Sequence, residues 1–177
     1  MQNLEVKDIR DLSFAELSAH LRDQNEPAYR VRQIFEWLYK KCVGSFDEMT
    51  NLSGAFRDKL KKDFRFDAVK VIREEVAEDS TRKALFELND KEKIETVLIP
   101  TDTRATVCVS TQAGCKFGCR FCASGIGGWN RNLKPSEILG QILYMKKKAQ
   151  GRPLSHLVFM GVGEPLTTLK YSRLLNF

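Results

Sequence analysis

Long hydrophobic runs are missing from this 177-residue sequence, and no stretch approaches the roughly 20 apolar residues needed to cross a bilayer. No membrane partner is expected. The opening residues, MQNLEVKDIRDLSF, mix charges with apolar side chains and contain no apolar signal core, so no signal peptide is expected. Histidine is scarce: His20 and His156 stand alone, far apart in sequence. The five cysteines are an odd count, and three of them fall within eight residues. That makes a poor disulfide framework and a better metal site in a reducing compartment, so a cytoplasmic location is expected. Internal repeats and low-complexity tracts are absent. With 42% hydrophobic and 29% charged residues, the composition is globular and excludes disorder.

Charge is unevenly spread. Residues 1–65 carry 12 Lys/Arg against 11 Asp/Glu, residues 66–103 carry 6 against 10, and residues 104–177 carry 11 against 2. The last segment also holds the cysteine trio. A basic segment there suits a polyanionic or phosphate-bearing substrate, and equally a solvated basic face.

Periodicity predicts three helices in the first third. Residues 13–22 pair Ser13 with Glu16 as a capping box and align Phe14, Leu17 and Leu21. Residues 28–41 place Val31, Ile34, Phe35 and Leu38 at helical spacing, and Gly44-Ser45 breaks the pattern. Residues 51–64 align Leu52, Phe56, Leu60 and Phe64, with Arg57, Lys59, Lys61 and Lys62 on the other side. Those basic faces serve solubility or form a nucleic-acid footprint. After residue 67 the period falls to 2. Ala84, Phe86 and Leu88 alternate with Lys83, Leu85 and Glu87, Asn89-Asp90 marks a turn, and Ile94–Ile99 reads as a strand closed by Pro100. PTDTR at 100–104 interrupts the strands and suggests a boundary. Val107–Ser110 reads as a strand, 135–149 as a helix begun by Pro135, and 156–160 (HLVFM) as a buried parallel strand. Strand, loop, helix and strand in that order open a βαβ unit.

The segment CVSTQAGCKFGCRFC runs from Cys108 to Cys122 and spaces Cys115, Cys119 and Cys122 as C-x3-C-x2-C. Such thiolates converge only if the backbone loops round a centre, which Gly114 and Gly118 permit. A structural zinc site wants four closed ligands, and no fourth protein ligand is evident. Three thiolates on a four-iron cluster leave one iron open to a small molecule. Zinc and a redox disulfide stay as alternatives. Downstream, Gly161-Val162-Gly163-Glu164-Pro165 ends a strand with a glycine turn, where backbone can approach a ligand and Glu164 offers an acceptor for an ammonium. On the residues alone, Cys108 reads as a buried strand cysteine and Glu95 as an exposed-face glutamate.

The trio with Phe121 before its last cysteine resembles the radical S-adenosylmethionine (SAM) superfamily. In that superfamily the open iron chelates SAM and the cluster cleaves it to a 5′-deoxyadenosyl radical. The resemblance narrows further. PAYRVRQIFEWLYKK (27–41), SFDEMTNLSGAFRDKL (45–60), IETVLIP (94–100), CVSTQAGCKFGCRFCASG (108–125), GGWNRNLKPSEILGQIL (127–143) and FMGVGEPL (159–166) are similar to the RNA adenine C2-methyltransferase family of the RlmN type. The sister family that methylates adenine C8 (Cfr type) shares much of this pattern.

The resemblance implies an α/β chain. It would hold a small helical, RNA-binding-like domain (residues 1–66), a β-rich connector (67–103) and an incomplete first part of a (β/α)6 radical-SAM barrel (104–177). It implies a 4Fe–4S cluster on Cys115, Cys119 and Cys122, and SAM held by Gly163 and Glu164. It also implies catalytic roles for Glu95 as proton acceptor and for Cys108, which helps remove the ring proton and closes a transient disulfide with a methyl-carrying cysteine. Implied partners are 23S ribosomal RNA, with transfer RNA as a further candidate, and an electron donor of the flavodoxin or ferredoxin type. The complete enzyme would be a monomer. Two departures stand out: Asp79-Ser80-Thr81 replaces the family's Asp-Gly-Thr, and Val162 replaces methionine. No cysteine follows Cys122. The chain is therefore expected to be a truncated form or an N-terminal fragment that does not turn over alone and exposes sheet edges. A non-catalytic RNA-binding fragment is the competing reading.

Overall fold

The computed structural model describes residues 6–168. The chain divides into two compact units, one ending at Asp67 and the other beginning at Ala68.

The first unit is helical. α1 (Phe14–Asp23) starts where the sequence predicts, because Ser13 and Glu16 form the reciprocal cap. Leu17 and Leu21 are its fully buried face. α2 (Tyr29–Phe35) runs on through a π-helical turn at Glu36–Lys40, in which the Lys41 N–H reaches the Glu36 carbonyl at 3.0 Å. The stretch expected as one regular helix thus carries a wider last turn, with Leu38 still buried. α3 (Gly54–Asp63) begins three residues later than expected, since the Ser53 hydroxyl caps it by accepting from the Phe56 N–H at 3.3 Å. Phe64 leaves the helix for β2 (Phe64–Arg65), which pairs in parallel with β1 (Lys7–Asp8). Val31, Ile34, Met49, Leu52, Phe56 and Leu60 share one core with the α1 leucines. Full burial of each such side chain contributes about 2 kcal/mol.

The second unit is a mixed five-stranded sheet in the order β3 (Val69–Val76), β4 (Arg82–Leu88), β5 (Lys93–Pro100), β6 (Ala105–Cys108), β9 (Leu154–Val158). The first four strands are antiparallel neighbours, and β6 pairs with β9 in parallel. Between these two lie a hairpin of β7 (Gln112–Gly114) and β8 (Trp129–Asn132), then α4 (Pro135–Lys148). This is the expected βαβ unit, but its second strand lies at 154–158 rather than 156–160, and its residues are exposed or half-buried instead of buried. Residues 101–104, read from sequence as a boundary, form the turn between β5 and β6, where the Thr101 N–H donates to the Arg104 carbonyl at 2.8 Å. The sheet runs straight through that turn, and the compact division lies after Asp67, beside the expected end of the helical domain at residue 66.

Period-2 alternation decides the faces. Ala84, Phe86 and Leu88, Ile94 and Leu98, and Val107 and Val109 are buried with Ile138 and Met145 of α4 in a second core. Strand β3 was not foreseen as an element, because its Glu74-Glu75 pair interrupts the apolar alternation.

Candidate functional site

Cys108 lies on β6, on the face away from the buried Val107 and Val109. Its pairing partner is Val97 of β5, so Glu95 stands two residues along on that same face. At the strand rise of about 3.4 Å per residue, the two backbones are offset by about 7 Å along the sheet. The Glu95 carboxylate is half-exposed and meets the Lys83 ammonium at 3.4 Å. The Cys108 thiol is half-buried, and burial pushes it above the ordinary thiol range against a lowering hydrogen bond from the Met160 backbone. The structure thus sets the two expected catalytic residues on one face as diagonal neighbours.

Beyond β6 the chain continues, buried, through Val109–Gln112. The glycine turn is stitched to this segment. The Gly161 N–H donates to the Val109 carbonyl at 3.1 Å, and the Val162 N–H donates to the Ser110 hydroxyl oxygen at 3.0 Å. In return the Val162 carbonyl accepts from the N–H groups of Thr111 (2.9 Å) and Gln112 (3.1 Å). Gly163 sits at φ +110°, and a Cβ there would meet the Gln112 side chain at 2.7 Å, so both conformation and space demand glycine. The Glu164 N–H donates to Gln112 Oε1 at 3.1 Å. Its half-buried carboxylate accepts from the Leu166 N–H at 3.0 Å, capping the 3-10 turn Pro165–Thr167.

The cysteine trio occupies the loop between β7 and β8. The Cys115 N–H donates to the Gly128 carbonyl at 2.9 Å and closes the loop at its base. Gly114 has φ +72°, and a Cβ there would run into the Gly128 carbonyl. Gly118 has open space and no left-handed backbone, so of the two expected glycines only Gly114 is required by the curvature. The Cys122 N–H donates to the Cys119 carbonyl at 3.0 Å, setting these two on one turn. Cys119 and Cys122 are exposed and Cys115 is half-buried. Hydrogen bonds from Ser124 hold the Cys122 thiol below its ordinary range.

Arg131 of β8 anchors the returning arm of the loop. Its guanidinium makes a two-point ion pair with the buried Glu137 of α4, at 2.8 Å each, and also meets Asp90.

The donor set, three thiols on one closed loop, fits a thiolate-held group in chemistry. Among the described residues, however, no three His, Cys, Asp or Glu side chains are gathered closely enough to hold a metal ion. The thiols share a loop without sharing a point. Exposed loop thiols have no packing of their own to draw them together, and sites of this kind form with their ligand. His156 is exposed on β9 and bonds Ser155 at 2.8 Å, in line with a surface histidine.

Three buried polar residues went unread in the sequence. Ser110 donates its hydroxyl to the Glu95 carbonyl at 2.6 Å, joining β5 to the glycine turn. Gln141 of α4 holds both polar groups of Ser110's backbone. Gln112 joins the hairpin to the glycine turn. The signal available was polarity at positions whose neighbours are apolar: Ser-Thr-Gln ending a strand, and Gln141 beside Ile138 and Ile142.

Residues 7–65 match the ribosomal RNA large subunit methyltransferase N-terminal domain family. Over 99% of its length the chain is 42% identical to a probable dual-specificity RNA methyltransferase RlmN of Desulfitobacterium hafniense, covering 53% of that protein. It is 43% identical to the corresponding protein of Halalkalibacterium halodurans, covering 99% of this chain and 49% of that one. A crystal structure of a radical SAM methyltransferase from Sphaerobacter thermophilus superposes with a TM-score of 0.87 at 38% identity, over 94% of this chain and 50% of that chain. The fold is therefore that of a radical-SAM methyltransferase, over the part that carries the N-terminal domain. The chain is a relative of the RlmN-type RNA methyltransferases and spans about half the length of the curated relatives it matches.

Proposed function

We propose that this chain supplies the cluster-binding and SAM-binding part of a radical-SAM methyltransferase that acts on adenine C2 of RNA in the cytoplasm. Its substrates are 23S ribosomal RNA and transfer RNA, and its electrons come from a flavodoxin- or ferredoxin-type donor. The observation that carries this reading is the union of two motifs on one strand exit: the C-x3-C-x2-C loop and the GVGEP turn both rest on residues 109–114.

Cys115, Cys119 and Cys122 hold a 4Fe–4S cluster, and Gly163 and Glu164 receive the SAM amino group. When bound, that cluster supplies the electron that cleaves SAM to a carbon radical. The remaining work falls to the chain's own residues. Glu164 spends one carboxylate oxygen on the Leu166 N–H, which leaves acceptor capacity for an ammonium. Adenine C2 is electrophilic, and after a carbon has added there the ring regains its aromaticity only if the C2 proton is taken up. Glu95 offers the acceptor, kept beside the cationic Lys83. Cys108, on the same face, has a thiol pushed up by burial, and on losing its proton to a base it would provide one cysteine of the transient disulfide.

The test is mass spectrometry of ribosomal RNA nucleosides from cells with and without the full-length gene that encodes this sequence. The reading predicts 2-methyladenosine only where the gene is present. 8-Methyladenosine in its place would assign the sister chemistry, and unchanged nucleosides would refute both.

A further inference from the structure

Gln112 is fully buried, and its side-chain amide uses both of its donors and its acceptor oxygen. Oε1 accepts from the Glu164 N–H at 3.1 Å. Nε2 donates to Asn132 Oδ1 at 2.8 Å and to Thr167 Oγ1 at 3.1 Å. A backbone N–H can only donate, so the Glu164 bond settles which end of the amide is oxygen. One side chain therefore ties β8, the returning arm of the cysteine loop, to the turn that bears Glu164. The Gln112 backbone adds to this, pairing with Asn132 in the hairpin and donating to the Val162 carbonyl at 3.1 Å. Gly163 lies against the Gln112 Cβ and Cγ, so any side chain at 163 would push the linking amide away.

We propose that Gln112 is a positioning residue that couples the cysteine loop to the Glu164 turn, so that the order of one sets the order of the other. Buried amides cost most when a partner is lost, because the groups left behind have no water to turn to. Replacing Gln112 by leucine removes a partner from Asn132, Thr167 and the Glu164 N–H together; Thr167 keeps its bond to the Glu164 carbonyl and Asn132 a longer one from Thr168, while the Glu164 N–H is left unpaired. The two arms then relax at the same time, although they are separated in sequence by α4 and β9. This inference rests on the cluster and SAM reading for its consequence, and on the hydrogen bonds alone for the coupling.

Two measurements separate those layers. The first is amide hydrogen exchange of the full chain without added iron. In Gln112→Leu, exchange should speed up about tenfold in both 129–133 and 161–167 while β4 and β5 stay protected. Faster exchange in only one of the two segments, or in neither, overturns the coupling. Thr167→Val, which removes the hydroxyl's bond from Gln112 Nε2 and its own bond to the Glu164 carbonyl, should give a smaller change in the same two segments. It keeps the test decisive should Gln112→Leu unfold. The second is the electron paramagnetic resonance signal of the anaerobically iron-loaded, reduced chain titrated with SAM. Gln112→Leu should hold as much iron as the wild type and need about tenfold more SAM to change the signal. An unchanged SAM requirement overturns the functional role of the coupling. A wild-type chain that takes up no cluster defeats the cluster reading and leaves the exchange result to decide the coupling.

Discussion

Gln141 grips the peptide groups of Ser110 from both sides: its Nε2 donates to the Ser110 carbonyl at 3.1 Å and its Oε1 accepts from the Ser110 N–H at 2.9 Å. The same Oε1 accepts from the Thr96 hydroxyl, and all three residues are buried. A helix side chain thus satisfies a strand that has run out of ladder partners. Gln141→Leu leaves two backbone groups and a hydroxyl unpaired in the core. It should destabilise the second unit by about 3 kcal/mol in denaturant unfolding. Thr96→Val, which removes one hydroxyl from the group, should cost about 1 kcal/mol. A loss under about 1 kcal/mol for Gln141→Leu would show that the network is not what holds the strand exit.

Ser80 occupies the turn between β3 and β4 with φ +67°, in the left-handed region. Asp79 supports the turn by accepting from the Thr81 N–H at 2.9 Å and from its hydroxyl at 3.0 Å. The family's glycine would adopt this φ without the steric cost a Cβ brings. Ser80→Gly should therefore stabilise the chain by about 1 kcal/mol, read from the denaturant midpoint. An unchanged or lowered midpoint would contradict that account of the turn.

The helices, the β4–β5 hairpin and the βαβ unit were legible because apolar spacing alone determines them, and the Ser13–Glu16 cap could be read to the residue. Of the two expected boundaries, the one at residues 66 and 67 stands beside the observed division, and the one at 100–104 was misread. PTDTR looks like a linker, yet it is the turn of a hairpin whose two strands bury Leu98 and Ala105 in one core. The β7–β8 hairpin was read as loop because its short strands are polar and its pairing partners lie about 20 residues apart, held by the Gln112–Asn132 contact rather than by any apolar pattern. At the site, motif spacing located Cys108, the cysteine loop and the Glu164 turn. It could not reveal Ser110, Gln112 and Gln141, whose value lies in contacts across 15 to 55 residues of sequence.

Glu74 carries a pH dependence. The Tyr144 hydroxyl donates to it at 2.6 Å, Arg82 at 2.8 Å, and Lys148 lies at 3.3 Å. The Tyr144 hydrogen bond chiefly, with help from the two cations and against the cost of burial, holds its carboxyl below the ordinary value of 4.5. A carboxyl lowered in the folded state adds stability above its unfolded pKa, and that contribution is lost as pH falls through the folded value. The stability difference between the wild type and Glu74→Gln should be about 1 kcal/mol near neutral pH and fade once the pH falls well below 4.5. Urea midpoints in the two pH ranges check this, and a difference independent of pH would contradict it.

Thiol reactivity should separate the cysteines. Cys119 and Cys122 are exposed, whereas Cys108 is half-buried with its thiol pushed up. Brief alkylation of the metal-free chain by iodoacetamide near neutral pH, mapped by mass spectrometry, should label the loop pair well before Cys108. Labelling of Cys108 first would show that its strand face is more open than described.

The central claim is that Cys115, Cys119 and Cys122 together hold one iron–sulfur cluster. Iron and acid-labile sulfide counted after anaerobic reconstitution of the chain test it most directly. The account predicts about four irons per chain, lost on replacing any of the three cysteines by serine and retained in Cys42→Ser, which alters a buried cysteine of the first unit. A single bound zinc in place of iron, or an iron content indifferent to those replacements, would contradict it.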